Sequence, residues 1–357
     1  MSAHEILIVI MAAFAVLGAL DRILGNRVGL GKEFEEGILA MGSLALAMVG
    51  IIALAPVLAN LLRPVVVPVY SFLGADPAMF AGTILACDMG GAALAQELTQ
   101  DPEAALLGGV IGGSMLGATI VFTIPVAMGI LSQEDRPYLA KGILAGVVTI
   151  PVGIFVSGLV AGFPILKILR NLVPIVLIAA LIALGLWRAE KAMIKGFGWF
   201  GKGVVAVITV GLAAAIVEGL TGFVLIPGMV PIEEGFQTVG AIAIVLAGAF
   251  PLVWTLTKLF RKPLMKTGDL LGINDTAAAG LVATLANSIA TFGMLKDMDD
   301  RGKVVNVAFA VSAAFVFGDH LGFTAGFAPQ MLPAVILGKL AGGISAVAVA
   351  LWLTRKG

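Results

Sequence analysis

Charged side chains are scarce in this sequence, and neither sign predominates. Asp, Glu, Lys and Arg together make up 12% of the 357 residues, and the formal net charge is zero. Soluble domains contain about a quarter charged residues, so this low content argues against a soluble protein. The Lys and Arg residues also do not cluster with aromatic residues, as they do on nucleic-acid-binding surfaces. We therefore exclude nucleic acid as a partner.

Cysteine and histidine are even rarer. Cys87 is the single cysteine, and His4 and His320 are the two histidines. One cysteine excludes an internal disulfide framework and a multi-cysteine metal site, and two histidines exclude a histidine-rich metal centre. The sequence also lacks a phosphate-binding glycine loop, a nucleophile elbow and a zinc-binding helix motif. We predict no metal, no cofactor and no ATP-driven step within this chain.

Apolar residues are abundant, by contrast, and they occur in blocks. They make up 60% of the chain, and about 20 apolar residues are enough for a helix to cross a bilayer. The first block follows Ser2, His4 and Glu5 instead of a basic region, which predicts a membrane helix and not a cleaved signal peptide. We predict an all-α integral membrane protein with a single transmembrane domain over residues 1–357. Eleven apolar segments lie near residues 5–24, 37–62, 78–98, 104–130, 138–162, 166–187, 203–226, 236–258, 276–295, 303–327 and 333–353.

The two halves of the chain resemble each other. Residues 37–142 align with residues 235–340 without a gap, and Asp101 matches Asp299. Self-similarity of this kind indicates internal duplication. The predicted repeats cover about residues 5–162 and 203–353, and a helix at about residues 166–187 links them.

The distribution of positive charge predicts the topology. Cytoplasmic loops retain Lys and Arg, but if all the segments crossed, basic residues would divide about evenly between the two sides. The rule holds if residues 78–98 (hairpin one) and 276–295 (hairpin two) are re-entrant. We then predict nine transmembrane helices plus two re-entrant hairpins, with the N-terminus outside and the C-terminus inside. The basic residues left at the outer face are Arg63, Lys167, Arg170 and Lys339.

This topology gives the two repeats opposite orientations. Inverted repeats with interrupted segments near the middle of the membrane are the architecture of secondary transporters, whose binding site lies where the repeats meet. Lys339, within the last apolar segment, is expected to extend its ammonium to the outer interface.

Hairpin one is predicted to carry part of the site. Each leg has about ten residues and reaches about 15 Å, half the hydrocarbon thickness, so its tip would lie near the midplane. A carboxylate at that depth is costly, which favours substrate binding by Asp88; capping of the second leg is the alternative. Gln96 on the second leg is a further substrate-binding candidate. The remaining tip residues are Cys87, Met89, Gly90 and Gly91.

Three further positions carry polar groups inside apolar segments. At the tip of hairpin two, Asn287 and Ser288 could bind substrate or bond a neighbouring helix. In segment ten (residues 303–327), Asp319 and His320 could form a structural pair, a substrate site or a proton relay. Glu218 in segment seven and Glu97 are candidates for ion coupling or gating, with helix packing as the alternative for Glu218.

The motifs ACDMGGAALA (residues 86–95) and FGDHLGF (residues 317–323) together resemble the EutH family of bacterial ethanolamine-utilisation permeases. The resemblance covers the whole chain. It implies a permease, and not an enzyme, that imports ethanolamine across the bacterial cytoplasmic (inner) membrane to supply an ethanolamine-catabolic pathway. The hairpin arrangement is also similar to concentrative nucleoside transporters, but shared architecture does not carry function.

Ethanolamine is a small ammonium with a hydroxyl, so its site needs a carboxylate or aromatic face and a neutral polar group. Asp88 and Asp319 could supply the charge, and Asn287 or Ser288 the hydroxyl contact. The alternatives are an ion-coupled transporter of nucleosides or another small polar metabolite, an intramembrane enzyme that uses Asp88 and Asp319 as an acid pair, and a passive channel. The expected partners are ethanolamine and membrane lipid, with a homo-oligomer left open.

Overall fold

The computed structural model describes residues 1–355, without the side chains of residues 260–264 and 267. All regular secondary structure in this part of the chain is helical, as predicted. Seven of the described helices are long and apolar enough to cross a membrane, which agrees with an integral membrane protein. The inner placement predicted for Arg261, Lys262 and Lys356 falls outside the described residues.

The first half of the chain contains eight α-helices. Two long helices, α1 and α2, are followed by the short pair α3 and α4. The next helix starts as α5, continues through π-helical turns at Leu106–Gly117 and Thr119–Thr123, and ends as α6. The bounds are α1 Ala3–Ile23, α2 Leu30–Phe72, α3 Ala78–Ile84, α4 Gly91–Leu98, α5 Pro102–Ala105, α6 Ile124–Ile130, α7 Arg136–Val147 and α8 Ile150–Val160.

The second half begins with α9, which is two helices joined at Ala189, where the backbone is not helical (φ −142°, ψ 46°). Its two parts correspond to the predicted linking helix and to segment seven. The bounds are α9 Ile165–Thr221, α10 Ile232–Leu271, α11 Asp275–Ala286, α12 Ser288–Met294, α13 Asp300–Ala313, α14 Asp319–Phe327 and α15 Leu332–Leu353.

Hairpin one and hairpin two each consist of two short helices whose outer ends meet. The Thr99 hydroxyl donates to Asp76 Oδ2 at 2.8 Å, which joins the chain before α3 to the chain after α4. In the same way the Asn274 N–H donates to Asp299 Oδ1 at 2.8 Å, beyond the ends of α11 and α12. Both segments therefore reverse direction at their centres. Their re-entry from opposite faces, the nine crossings and the inverted repeats stay predictions.

Two segments expected to be continuous helices are interrupted. Segment five divides into α7 and α8, and segment ten divides into α13 and α14. The cause in segment ten is pairing with hairpin two: the Phe317 N–H donates to the Leu285 carbonyl at 2.8 Å and the Phe315 N–H to the Thr284 carbonyl at 3.2 Å. These bonds hold the backbone away from the helical path, so residues 303–327 do not form the continuous helix that their composition suggests; whether they cross the membrane stays a prediction.

Glycine allows hairpin one to pack closely on the π-helical stretch. A side chain on Gly82 would collide with the carbonyl of Gly108, and one on Gly109 would lie 2.6 Å from Ala95 Cβ. Nearly every residue from 104 to 124 is buried. Small residues at such contacts let membrane helices approach to backbone distance, and this packing fixes the position of the hairpin-one tip.

We expect the ion pair of Lys303 and Asp135 to contribute measurably to stability. Lys303 Nζ lies 2.7 Å from Asp135 Oδ1, with side-chain exposures of only 13% and 5%. Asp135→Asn should lower the free energy of unfolding by about 1.5–3 kcal/mol, the usual worth of a charged hydrogen bond. Thermal unfolding of the purified protein in detergent would measure the loss.

The exposed pair of Arg22 and Glu35 provides the matched control. Its atoms lie 3.3 Å apart and its side chains are 55% and 45% exposed, so Glu35→Gln should change stability by less than about 1 kcal/mol. Equal shifts for the two variants would contradict the proposed role of burial.

Candidate functional site

The tip of hairpin one is a tight turn that presents Asp88. Residues Cys87–Met89 form one 3-10 turn, and Gly90 follows with φ 91°, a value that favours glycine. The Gly91 N–H donates to the Ala86 carbonyl at 2.9 Å and closes the turn. The Asp88 side chain is 17% exposed. Asp88 therefore lies in the turn between α3 and α4, and its side chain makes no capping hydrogen bond to α4.

The interruption of segment ten presents the second carboxylate. Phe315 has a positive φ of 62°, which is uncommon for a bulky residue. Beyond it, a side chain on Gly318 would collide with the Ala286 carbonyl, so the chain passes directly against hairpin two. Asp319 is the first residue of α14 and His320 is the second. The predicted Asp–His pair therefore lies at a helix start and not within a continuous helix.

Two cavities meet at Asp319. One of about 540 Å³ lies between the hairpin-one tip, the π-helical region and α9, and is lined by Asp88, Met89, Phe122, Lys202, Phe315, Asp319 and His320 among others. The other, of about 700 Å³, lies against hairpin two and α10, and is lined by Glu33, Phe250, Trp254, Lys258, Asn287, Phe317 and Asp319 among others. Asp319 lines both, so it stands at the junction of the two hairpins.

A buried line of polar groups leads away from Asp88. His320 Nε2 lies 3.9 Å from Asp88 Oδ1, and His320 Nδ1 lies 3.0 Å from Lys339 Nζ. The Lys339 ammonium also donates to the carbonyl of Ser114 in the π-helical stretch. The Phe315 ring packs on the imidazole, with centroids 5.2 Å apart. This line connects hairpin one, α14 and α15 through their polar side chains.

Lys339 is the site residue that the sequence prediction missed. The prediction that its ammonium extends to the outer interface was wrong, because the residue is only 1% exposed and contacts His320 and Ser114. Lys141, which aligns with Lys339 in the predicted repeat, is exposed. The predicted topology already indicated that Lys339 is unusual, because it was one of the few basic residues left at the outer face, against the positive-inside rule.

Cys87, Asp88 and His320 each offer one metal-ligating atom, and these atoms lie within 4.8 Å of one another. Zinc ligands surround the ion at about 2.0–2.3 Å. A metal cation here would face the Lys339 ammonium, which lies 3.0 Å from the other nitrogen of His320. That positive charge makes the group a poor cation-binding set, so we do not interpret it as a metal centre.

Hairpin two contributes a neutral tip, as predicted. Asn287 lines the larger cavity, and its Oδ1 accepts from the Ile289 N–H at 2.8 Å, so it also caps α12. Ser288 is fully buried and lines neither of the two cavities, so contact with a substrate would require movement of the hairpin. The hydroxyls of Thr284 and Thr291 bond each other at 2.8 Å across the hairpin.

The remaining candidates lie away from Asp88 and Asp319. Gln96 and Glu97 line a third cavity of about 610 Å³, together with Arg63. The Arg63 guanidinium donates to the Glu97 carbonyl at 2.6 Å, which attaches α2 to the end of α4. Glu218 lies in the last turn of α9, since that helix ends at Thr221 and not near residue 226 as predicted. It is partly exposed and lines none of these three cavities.

Comparison with known proteins identifies the family. The family model described as "Ethanolamine utilisation protein, EutH" matches residues 3–353, nearly the whole chain. The chain belongs to the EutH family. Among curated relatives, "Probable ethanolamine permease EutH" of Listeria monocytogenes is 64% identical over 356 residues, which cover 100% of this chain and 95% of that protein. No solved structure gives a significant match.

Two further relatives are similar to this chain over nearly its whole length. "Uncharacterized protein YxeR" of Bacillus subtilis is 55% identical, with 99% of this chain and 96% of that protein covered. "Probable ethanolamine permease EutH" of Salmonella typhimurium is 50% identical, with 100% and 97% covered. The resemblance found from the two motifs is therefore confirmed. The names point to a permease rather than an enzyme, and the long apolar helices agree with a multi-pass membrane protein.

Proposed function

We propose that this protein imports ethanolamine across the bacterial cytoplasmic membrane, and that Asp319 binds the ammonium group. The observation that carries the proposal is the position of Asp319, which lines both cavities at the junction of the two hairpins. Its carboxylate has no hydrogen-bond or ion-pair partner among the described residues. An acidic residue inside a membrane protein without such a partner is a functional group by default, because its burial is costly.

The larger cavity also offers groups for the rest of the substrate. Asn287 lines it together with Asp319. The Asn287 carbonyl oxygen is occupied by the cap of α12, so its amide N–H groups are available to donate to the substrate hydroxyl. Phe317 adds an aromatic face to the same cavity, and aromatic faces attract organic cations. The Trp254 ring also lines this cavity, with the Lys258 ammonium over it at 4.5 Å from the ring centroid. An anion, a donor and an aromatic wall match ethanolamine in charge and polarity.

The predicted topology gives this arrangement a direction. Lys202 and Lys258, which line the two cavities, belong to the predicted inner side, whereas Arg63 and Glu97 of the third cavity belong to the outer side. The described conformation is then inward-facing, with hairpin one between the site and the outer cavity. Alternating access would require the two hairpins to move relative to Asp319, so that the site closes to the inner side and opens to the outer cavity, as inverted repeats permit. In this scheme Gln96 and Glu97 act at the outer entrance.

Counterflow in proteoliposomes tests the function. Vesicles that contain the purified protein and unlabelled ethanolamine should accumulate labelled ethanolamine transiently and saturably, and the recovered label should be chemically unchanged. Empty vesicles are the control. Uptake without saturation or counterflow would indicate a channel, a modified product an enzyme, and strong competition by nucleosides the alternative transport substrate. Replacement of sodium and dissipation of the proton gradient would separate ion-coupled transport from facilitated diffusion.

A further inference from the structure

The charged groups around the site do not balance. Asp88 and Asp319 line the same cavity of about 540 Å³. Behind this cavity lies one fully buried ammonium, that of Lys339, which is connected to Asp88 through His320. Lys202 and Lys258 also line these cavities, but both side chains are exposed, and their ammonium groups lie over the rings of Trp199 and Trp254, 5.4 Å and 4.5 Å from the ring centroids. With both carboxylates ionised and the imidazole neutral, Asp88, Asp319 and Lys339 together leave one negative charge. An unbalanced charge in a low-dielectric interior is expensive, so a binding partner of opposite charge is favoured.

The position of Lys339 makes it a permanent part of the site. Its ammonium donates to the Ser114 carbonyl and contacts His320 Nδ1, and it does not itself line the cavity. His320 Nε2 lies 3.9 Å from Asp88 Oδ1. The lysine therefore compensates Asp88 from behind, while Asp319 faces the cavities without a described partner. A substrate can reach Asp319 and cannot displace the lysine.

We propose that Lys339 is the resident counter-cation of Asp88, and that it restricts the site to a single monovalent cation. This inference rests on the proposed function. One organic ammonium at Asp319 completes the charge balance. A second positive charge, whether a co-transported cation or the far end of a diamine, would meet the Lys339 ammonium in place of a free carboxylate. Lys339 is thus a specificity-determining residue that acts through charge and not through contact with the substrate.

Two ligands of equal length test the inference. At pH 7, 3-aminopropan-1-ol is a monocation and 1,3-diaminopropane is a dication. The affinity of each for the purified protein can be measured by competition with labelled ethanolamine. The wild type should prefer the amino alcohol by at least about tenfold, because juxtaposed like charges cost several kcal/mol. In Lys339→Met the preference should fall by at least about tenfold, since two carboxylates are then available for two ammonium groups.

A second experiment tests the inference by restoring the net charge of the site. Asp88→Asn leaves no net negative charge, so it should weaken ethanolamine binding by at least about tenfold. The double variant Asp88→Asn with Lys339→Met returns the site to one negative charge. It should recover both ethanolamine binding and the preference for the amino alcohol. If Lys339 had only a packing role, its replacement in Asp88→Asn would not restore ethanolamine binding. This comparison therefore decides the question even if Lys339→Met alone is not recovered from membranes.

The outcomes separate the inference from the function. If the wild type does not bind ethanolamine, the proposed function fails. If it binds ethanolamine but accepts the diamine equally well, the inference fails and the function stands. An unchanged preference in folded Lys339→Met, or no recovery of binding in the folded double variant, also overturns the inference alone.

Discussion

Asp319→Asn is expected to reduce uptake of labelled ethanolamine at subsaturating concentration by roughly 30-fold to several thousand-fold. Removal of one partner of a desolvated charge pair costs about 2–5 kcal/mol, and each 1.4 kcal/mol is about a tenfold change in affinity. The substitution keeps the size of the side chain at the junction of the two cavities. The measurement is initial uptake in proteoliposomes, normalised to the amount of inserted protein.

Asp275→Asn is the matched control for this experiment. Asp275 is exposed in the first turn of α11, whose cap is the side chain of the preceding Asn274. The same change of charge there should leave uptake within about twofold, because exposed substitutions away from special features change free energies by only about 0.5 kcal/mol. Wild-type uptake by Asp319→Asn at normal expression would overturn the assignment of the ammonium to this carboxylate.

Gly117→Ala is expected to have the largest structural effect. An added Cβ at this position would overlap the carbonyl group of Leu85, which precedes the Asp88 turn. Because the obstacle is backbone, the hairpin-one tip must shift, and forced overpacking usually costs about 1–3 kcal/mol. We expect a lower unfolding temperature in detergent together with reduced ethanolamine uptake, since the shift would also displace Asp88.

Gly112→Ala in the same π-helical stretch is the control. An added Cβ there would make only ordinary contacts, 3.4 Å from the Leu107 carbonyl oxygen and 3.9 Å from Gly82 Cα. Alanine also favours a helix over glycine by about 1 kcal/mol. This variant should unfold at or slightly above the wild-type temperature and retain uptake. Equal losses in the two variants would show that the stretch tolerates no side chain for reasons other than contact with Leu85.

The apolar segments and the alignment of the two halves were enough to predict a turn within residues 78–98 and within residues 276–295. Gly90 and Gly91 mark a place where the chain can turn, and Asn287 caps a new helix as its side chain suggests. The distribution of Lys and Arg then supplied the reason for hairpins instead of crossings. These features depend on neighbours in the sequence and on the hydrocarbon thickness, so they can be inferred without knowledge of which helices meet.

The errors have a common cause in contacts between distant parts of the chain. Segment ten has the composition of a continuous helix, and its interruption comes from hydrogen bonds between Phe315 and Phe317 and the tip of hairpin two. Glu218 lies in the last turn of α9 because that helix ends at Thr221, before the apolar run does. The burial of Ser288 likewise depends on tertiary contacts, and substrate binding by this residue stays a prediction.

The sequence by itself determined that this protein is a helical integral membrane protein of the EutH family, and it made Asp88 and Asp319 the candidate charged groups of its site. Hydropathy and two local motifs carry that information. Only the tertiary structure decided that Asp319 lies at the junction of the cavities and that Lys339 is buried behind His320. A lysine in an apolar helix can reach the interface or turn inward, and the choice depends on whether other segments provide partners, here Ser114 and His320.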